Sequence, residues 1–168
     1  MKTNYKKALK LVTLLVTSIL IATASAQVYT YMYLRGSITV GTQKIVWIME
    51  GQEVSGDTVQ MSFNVEPNVT KTFNGTLYLK NKDTDDHTVN ITVTDKVGSH
   101  FETCKVYVYE NFMQNGSWTL IGTLDLKTLN DALTNKTLKA DGYYKFDFEI
   151  KATSNGTDND FELMVIYA

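Results

Sequence analysis

The amino-acid sequence predicts an all-β protein, a two-sheet jelly-roll-like sandwich. Apolar and polar residues alternate along several segments of strand length, which is the period of a strand with one buried face. Gly, Asn, Asp, Ser and Pro cluster between those segments and predict turns at regular intervals. Roughly eight to ten short strands joined in this way are typical of sandwiches and jelly rolls. The length of 168 residues favours a single domain.

The clearest alternation is found in four segments, where an apolar residue occupies every second position. These segments are residues 58–65, 88–94, 143–150 and 161–167. Less regular β patterns predict further strands at residues 44–50, 76–81, 102–109 and 117–123. Only residues 127–133, with the sequence KTLNDAL, break this rhythm, and they predict one short helix.

The first 26 residues have the composition of a secretory signal peptide. A basic start is followed by an apolar run over residues 11–22 and by Ala24-Ser25-Ala26, a small-residue pattern that signal peptidases accept. The apolar run is short for a membrane span, so the mature chain from Gln27 is expected to be extracellular and free of the membrane. An alternative keeps this run, because Lys7-Ala8-Leu9 fits an archaeal type IV prepilin site, where cleavage precedes the apolar segment.

The charge of the mature chain argues against a nucleic-acid partner. The leader contains four of the 16 Lys and Arg residues and none of the 18 Asp and Glu residues, which leaves 12 basic and 18 acidic residues and a net charge of −6. Such a chain lacks the basic surface that neutralises phosphates. No zinc, phosphate-binding or nucleophile motif occurs, and His87 and His100 lie in or beside predicted turns. His87 is expected to be a solvated turn residue. We therefore expect neither an enzyme nor a cofactor.

A single cysteine, Cys104, excludes a disulfide bond within one chain. It alternates with Val106 and Val108 on the apolar face of a predicted strand. A buried, unreactive thiol is therefore expected, and stability must come from packing, from the sheets or from neighbouring subunits.

Six Asn-x-Ser/Thr sequons occur, against about two expected by chance. Three of them fall in predicted turns, Asn90 lies on the polar face of a strand, and Asn135 is expected to follow the helix. Glycosylation at these sites is the favoured interpretation, although a Thr-rich β protein also generates such triplets without modification. The six candidates are Asn68, Asn74, Asn90, Asn115, Asn135 and Asn155.

The segment that follows the leader, residues 27–35, has strong β propensity and no preceding element to pair with. An open sandwich has an unpaired edge, and a free terminal strand can complete the sheet of a neighbouring copy. Such head-to-tail addition propagates into a filament. The alternatives are that the segment is the first strand of its own domain, or that its tyrosines stack on sugars. The candidate donor-strand residues are Val28, Tyr29, Thr30, Tyr31, Met32, Tyr33 and Leu34.

Two acidic loops are the only candidates for a metal ion, and the ion that carboxylates in a loop suit is calcium. The spacing of these acidic residues does not match an EF-hand loop, and solvated turns use the same residues, so a solvated loop is the favoured interpretation. The calcium candidates are Asp83, Asp85 and Asp86 in the first loop, and Asp158, Asp160 and Glu162 in the second.

Three stretches of the mature chain resemble TasA/camelysin-type matrix fibre subunits and the related archaeal bundling pilins. They are GSITVGTQKIVWIM (36–49), FNVEPNVTKTFNGTLYLKNKDTDDHTVNITVTD (63–95) and DGYYKFDFEIKATSNGTDNDFELMVIYA (141–168). The resemblance implies a jelly-roll subunit that polymerises with identical subunits by donor-strand complementation, and whose filaments bundle in a biofilm matrix. It divides the chain into a signal peptide (1–26), a donor strand (27–35) and a β-sandwich pilin domain (36–168). Camelysin relatives have been described as proteases, but this sequence contains no protease motif.

A second hypothesis is a secreted carbohydrate-binding or surface-layer module. Trp47, Trp118 and the tyrosines of the N-terminal segment would then be exposed and stack on sugars. Burial of both tryptophans in the core is the more ordinary expectation for residues of this size.

Overall fold

Strands make up most of the structure, a computed structural model that describes residues 30–38, 44–56, 58–112, 116–153 and 160–168. For residues 30–38 we describe only the strand and the strands with which it pairs. The strands within these ranges are β1 (Thr30–Ile38), β2 (Ile45–Met49), β3 (Gln52–Glu53), β4 (Thr58–Val65), β5 (Thr70–Asn81), β6 (His87–Asp95), β7 (Phe101–Asn111), β8 (Thr119–Asp125), β9 (Ala132–Leu138), β10 (Tyr143–Ala152) and β11 (Phe161–Tyr167).

The strands form two sheets that pack face to face as a sandwich. Sheet A has the strand order β4-β1-β11-β6-β9, and sheet B has the order β3-β2-β5-β10-β7-β8. From β4 to β7, and again from β8 to β11, the chain alternates between the sheets. The paired strands are antiparallel except for β1 and β11, which run parallel. The predicted all-β, two-sheet sandwich is thereby confirmed.

The core is built from the alternate apolar residues that the sequence marked. On β6, for example, Val89, Ile91 and Val93 are fully buried, while the residues between them are partly exposed. An aromatic cluster joins the two sheets, because Phe63 of sheet A packs on Phe148 of sheet B with ring centroids 4.8 Å apart. The centroid of the Phe63 ring also lies 4.7 Å from that of Phe73 in sheet B and 6.5 Å from that of Phe161 in sheet A.

The predicted helix at residues 127–133 is wrong. Residues 126–130 form turns, and β9 begins at Ala132. Here side-chain carboxylates, and not the carbonyl groups of a helix, accept the backbone hydrogen bonds. The Lys127 amide donates to Asp125 Oδ1 (3.0 Å), and the Asp125 amide donates to Asp131 Oδ2 (2.7 Å). Asn130 adopts a φ of 64°, which a right-handed helix does not permit.

One side of the sandwich is closed by a close approach between β8 and β9. Gly122 of β8 leaves no space for a Cβ atom, because the side chain of Leu133 on β9 lies against it. Leu133 is packed against the core. The strand that the sequence did not predict therefore covers this side of the core.

A buried asparagine joins two turns at one end of the sandwich. Asn81, at the end of β5, has no solvent exposure. Its Nδ2 donates to the carbonyl oxygens of Asp85 (2.7 Å), Lys139 (3.1 Å) and Leu138 (3.3 Å), and its Oδ1 accepts from the Asp83 amide (2.9 Å). The β5–β6 turn and the β9–β10 turn are thus fixed to each other by one side chain.

Replacing Asn81 by leucine should lower the free energy of unfolding by roughly 2–4 kcal/mol, because it removes all four hydrogen bonds that this buried side chain makes. Urea unfolding followed by circular dichroism measures the change. The matched control is Asn64→Leu on an exposed position of β4, where the change should stay within about 0.5 kcal/mol. Equal effects of the two substitutions would contradict the role given to Asn81.

Candidate assembly site

The N-terminal strand β1 lies between β4 and β11 and hydrogen-bonds to both. Residues Thr30 to Ser37 pair with Val65 to Thr58 of β4, and Leu34 to Ile38 pair with Phe161 to Val165 of β11. Within the described ranges β4 pairs with no other strand. The hydrogen-bonded place of β4 in sheet A therefore depends on β1.

The walls of this strand position are apolar on the side that faces sheet B. Six core residues, three on each neighbouring strand, are at most 2% exposed. They are Val59, Phe63 and Val65 on β4, and Phe161, Leu163 and Val165 on β11. Two backbone ladders and an apolar floor recognise an extended chain with strand-forming residues, which is the composition that the sequence offers at residues 27–35.

The outer edge of β4 lies beside a cleft of about 250 Å³ that is also lined by β2 and β5 of sheet B. Met61, Phe63 and Phe73 contribute apolar surface to it, together with Met49 of β2. β4 is an edge strand among the described residues, so a row of backbone groups is available there. The sheet is thus less enclosed on the β4 side than on the side that Leu133 covers.

The predicted donor residues divide between two parts of the chain. Thr30, Tyr31, Met32, Tyr33 and Leu34 are in β1, which in this structure pairs within its own chain, whereas Val28 and Tyr29 lie outside the described residues. The strand continues to Ile38, three residues beyond the predicted segment. Exchange of this strand between copies stays a prediction.

Two of the predicted glycosylation sites are exposed on connections or irregular parts of the sheets. Asn68 lies in the turn after β4 with a φ of 63°, and Asn74 lies on β5 where its register against β10 shifts. At that shift the Gly75 amide donates to Asp147 Oδ1 (2.8 Å). Asn115 and Asn155, like the predicted signal peptide, lie outside the described residues.

The other two sequons, at Asn90 and Asn135, meet on the outer face of sheet A. Asn90 alternates with the buried Val89 and Ile91, so its side chain points away from the core. Its Oδ1 accepts a hydrogen bond from the Asn135 amide (2.7 Å), and Asn135 is exposed with a φ of 54°. The sequence placed Asn90 correctly on the polar face, but Asn135 lies at a register shift in β9 and does not follow a helix.

The first acidic loop is organised by ion pairs with separate cations. Asp83 Oδ2 lies 2.6 Å from Lys44 Nζ, while Asp86 Oδ2 lies 2.7 Å from Lys139 Nζ. Asp85 is exposed and contributes its main-chain carbonyl to Asn81. In the part of the chain that the structure describes, no three His, Cys, Asp or Glu side chains group as metal ligands. In the second loop, Asp160 is exposed, Glu162 is half-buried on β11, and Asp158 lies outside the described residues.

His87 is not the solvated turn residue that the sequence suggested. It begins β6, its side chain is only 11% exposed, and its Nε2 lies 3.0 Å from Asp83 Oδ2. Its Nδ1 lies 3.2 Å from the main-chain oxygen of Ala168, and its ring packs edge-on against Tyr167. His87 therefore ties the start of β6 to the end of the chain.

The remaining residues of interest are Cys104, the two tryptophans and His100. Cys104 is fully buried, as predicted, and burial raises the pKa of its thiol. Trp47 is a core residue that packs on Phe146, whereas Trp118 is half-buried on the outer face of sheet B. His100 packs against Phe101. Of the two tryptophans, Trp118 is thus the one placed to meet a ligand.

Comparison with known proteins gives no family for this chain: no family model matches it, and no curated protein is significantly similar to it. In the described ranges no helix has the length and the apolar character needed to cross a membrane.

The ion pair of Asp83 should make stability depend on acid pH. Hydrogen bonds from Lys44 and then from His87 lower the pKa of Asp83 to about 2, against 3.8 for a free aspartate. The stabilisation is complete above pH 3.8 and is lost as the pH falls through the folded pKa, because protonation removes the charge that both partners bind. The difference in unfolding free energy between wild type and Asp83→Asn should therefore shrink as the pH falls from about 4 to 2 and disappear only below the folded pKa. Urea midpoints measured from pH 2 to pH 7 test this.

The matched control for this titration is Asp85→Asn, because Asp85 is exposed and has no ion pair with a described residue. The change with pH seen for Asp83→Asn should exceed the change seen for this control. An Asp83→Asn difference that is as large at pH 2 as at pH 7 would contradict the assignment.

Proposed function

We propose that this chain is an extracellular structural subunit that polymerises with identical copies by donor-strand complementation. The strand corresponding to β1 of one copy fills the position between β4 and β11 of the next copy, and the filaments bundle in a matrix. The observation that supports this most directly is that the place of β4 in sheet A depends on one strand from the chain's N-terminal region. The role proposed is mechanical, with no catalytic step.

Exchange of this strand costs little in contact energy. A strand of the same sequence from another copy makes the same eight-residue pairing with β4 and the same five-residue pairing with β11. The balance then depends on protein concentration and on the link between β1 and β2, as in other strand exchanges. Each copy donates at one place and accepts at another, so the contact is head-to-tail and extends into a filament.

The link between β1 and β2 limits how far apart two exchanging copies can lie. It consists of residues 39–44, between Ile38 at the end of β1 and Ile45 at the start of β2. Six residues span at most about 20 Å when extended. Neighbouring copies joined in this way must therefore lie close together, which favours a compact filament.

The sequence features outside the strand position agree with an extracellular polymer. The proposed signal peptide exports the chain, the sequons at Asn68, Asn74, Asn90 and Asn135 are on described positions that are not buried, and a net charge of −6 keeps the exported subunit soluble. In this proposal the partners are identical subunits along a filament and neighbouring filaments in a bundle.

A cysteine pair distinguishes exchange from pairing within one chain. Tyr33 on β1 lies opposite Ser62 on β4. One preparation carries Tyr33→Cys, a second carries Ser62→Cys, and both carry Cys104→Ala. When the two are unfolded, mixed, refolded at high concentration and oxidised, exchange should yield disulfide-linked heterodimers on non-reducing gels, because opposed Cα atoms are within disulfide range.

The double variant Tyr33→Cys/Ser62→Cys completes the experiment. Exchange converts it into a covalent ladder of multimers, whereas pairing within one chain gives only an oxidised monomer. The control replaces Ser62→Cys by Thr123→Cys on sheet B, which should not cross-link to Tyr33→Cys. Oxidised monomer at every protein concentration, without heterodimers in the mixture, would overturn the proposal.

A complementary test removes β1 and restores it as a peptide. The chain from residue 39 onward should unfold at a lower urea concentration than the mature chain, because β4 loses its ladder, and a peptide of residues 27–38 should raise the midpoint in a dose-dependent way. The matched control is the same peptide with Leu34→Pro, since Leu34 pairs with both β4 and β11 and proline interrupts a central strand. Equal stabilisation by both peptides would mean that the strand position is not what they occupy.

A further inference from the structure

An aromatic cleft of about 350 Å³ lies on the outer face of sheet B, away from the β1 position. The strand register places Ile48, Tyr78, Lys145 and Tyr109 side by side across β2, β5, β10 and β7. Each alternates with core residues of its strand, so this row faces outward. Tyr143 stands in the next row and extends the aromatic surface toward the end of the sheet.

Trp118 forms the wall of this cleft. It lies just before β8, and its ring centroid is 5.8 Å from that of Tyr78 in a tilted arrangement. Lys145 makes cation–π contacts with two rings: its ammonium lies 5.3 Å from the centroid of the Trp118 ring and 4.5 Å from that of the Tyr109 ring. Asp147 Oδ2 fixes that ammonium at 2.8 Å. The indole thus rests on a lysine that an ion pair holds in place, and it is not buried in the core.

The lining of the cleft combines ring faces with a few polar groups. Ile48, Tyr78, Tyr143 and Trp118 supply the apolar surface, and Asn111 and Gly116 complete the lining. The Lys80 ammonium lies 5.2 Å from the Tyr143 ring at the rim and has no ion pair with a described residue. Amphipathic ligands with one apolar face and several hydroxyl groups match such a surface, because aromatic rings pack on the apolar face while polar groups at the rim bind the hydroxyls.

We propose that this cleft binds a pyranose ring from a glycan carried by a second copy of the chain. The volume is in the range of small-ligand sites and accommodates a sugar ring with its neighbours in a chain. The inference rests on the proposed function, because it gives the contact by which adjacent filaments bundle.

The positions of two described sequons, Asn90 and Asn135, favour a second copy as the source of the sugar, whereas Asn74 lies on β5 of the sheet that carries the cleft. Asn90 and Asn135 present their side chains on the outer face of sheet A, and the two sheets of a sandwich lie about 10 Å apart with their outer faces turned in opposite directions. A glycan at either position therefore extends away from the cleft of its own chain. Asn90 keeps its Oδ1 in a hydrogen bond to the Asn135 amide, while its Nδ2, the atom that a glycan modifies, makes no hydrogen bond to a described residue.

The first experiment titrates unglycosylated mature protein with trisaccharides of glucose, mannose and N-acetylglucosamine by calorimetry. At least one should bind, Trp118→Ala and Tyr143→Ala should each weaken that binding about tenfold, and Trp118→Phe should restore most of it. The matched control is Tyr107→Ala. Tyr107 faces outward on sheet B but lies outside the cleft, where its hydroxyl donates a hydrogen bond to Glu149. Circular dichroism verifies that each variant is folded. No binding by the folded wild type, or equal binding by all variants, would overturn the proposal.

The second experiment identifies the source of the sugar in glycosylated protein. Glycans are removed by Thr92→Ala and Thr137→Ala, which destroy the sequons of Asn90 and Asn135 but keep both asparagines and their hydrogen bond. Bundling, seen by negative-stain microscopy, should be lost in this double variant and in Trp118→Ala, and kept in the control Thr70→Ala, which removes the sequon of Asn68. Bundles that persist in the double variant would exclude the glycans of Asn90 and Asn135 as the source of the sugar and overturn their assignment to the cleft of a second copy.

The two proposals fail in different ways. Sugar binding is measured on unglycosylated protein, so a negative titration beside a positive Tyr33–Ser62 cross-link would remove the cleft's role and leave strand exchange intact. Sugar binding without any cross-link would remove the filament and, with it, the second copy as the source of the sugar.

Discussion

The hydrogen bonds that β1 makes on both of its edges are the interaction on which sheet A depends. β11 is also paired to β6, but β4 has β1 as its sole ladder partner in the described structure. What else holds β4 is packing, chiefly the ring of Phe63 against Phe73 and Phe148 of sheet B. If β4 were held by packing alone, its backbone N–H and C=O groups would have to hydrogen-bond to water. They find partners in the sheet only when an extended chain lies beside β4.

Sheet B does not share this dependence. Its central strand β10 pairs along its length with β5 and β7, and neither contact involves the N-terminal segment. Asn81 fixes two turns that join sheet B to sheet A, and Leu133 of β9 closes the far side of the sandwich against Gly122 of β8. The fold therefore combines a sheet that is complete in itself with one whose completion is conditional on a strand from the chain's end. In the proposed assembly, such a division lets one strand be exchanged without exposing the whole core.

The sequence was sufficient for the fold class because period-two alternation reports burial on one face directly, as in β6 and β10. It missed β9, whose residues 132–138 lack that alternation because this edge strand has only Leu138 fully buried. It also could not show the parallel pairing of β1 with β11, since register between strands more than a hundred residues apart depends on tertiary packing. The aromatic cleft could not be predicted from the sequence for the same reason. Ile48, Tyr78 and Tyr143 have no distinguishing pattern within their own strands, and they become neighbours only across the sheet.

The two surfaces proposed for assembly differ in direction as well as in chemistry. The β1 position lies within sheet A and uses backbone hydrogen bonds, which propagate along one line from copy to copy. The cleft around Trp118 and the sequon pair of Asn90 and Asn135 lie on opposite outer faces, so a contact between them joins copies side by side. A contact between two different faces does not close on itself, and it can repeat in the lateral direction as strand exchange repeats along the filament. In the proposal, one small sandwich thus has separate surfaces for lengthening a fibre and for bundling it, and substitutions at one surface leave the other unchanged.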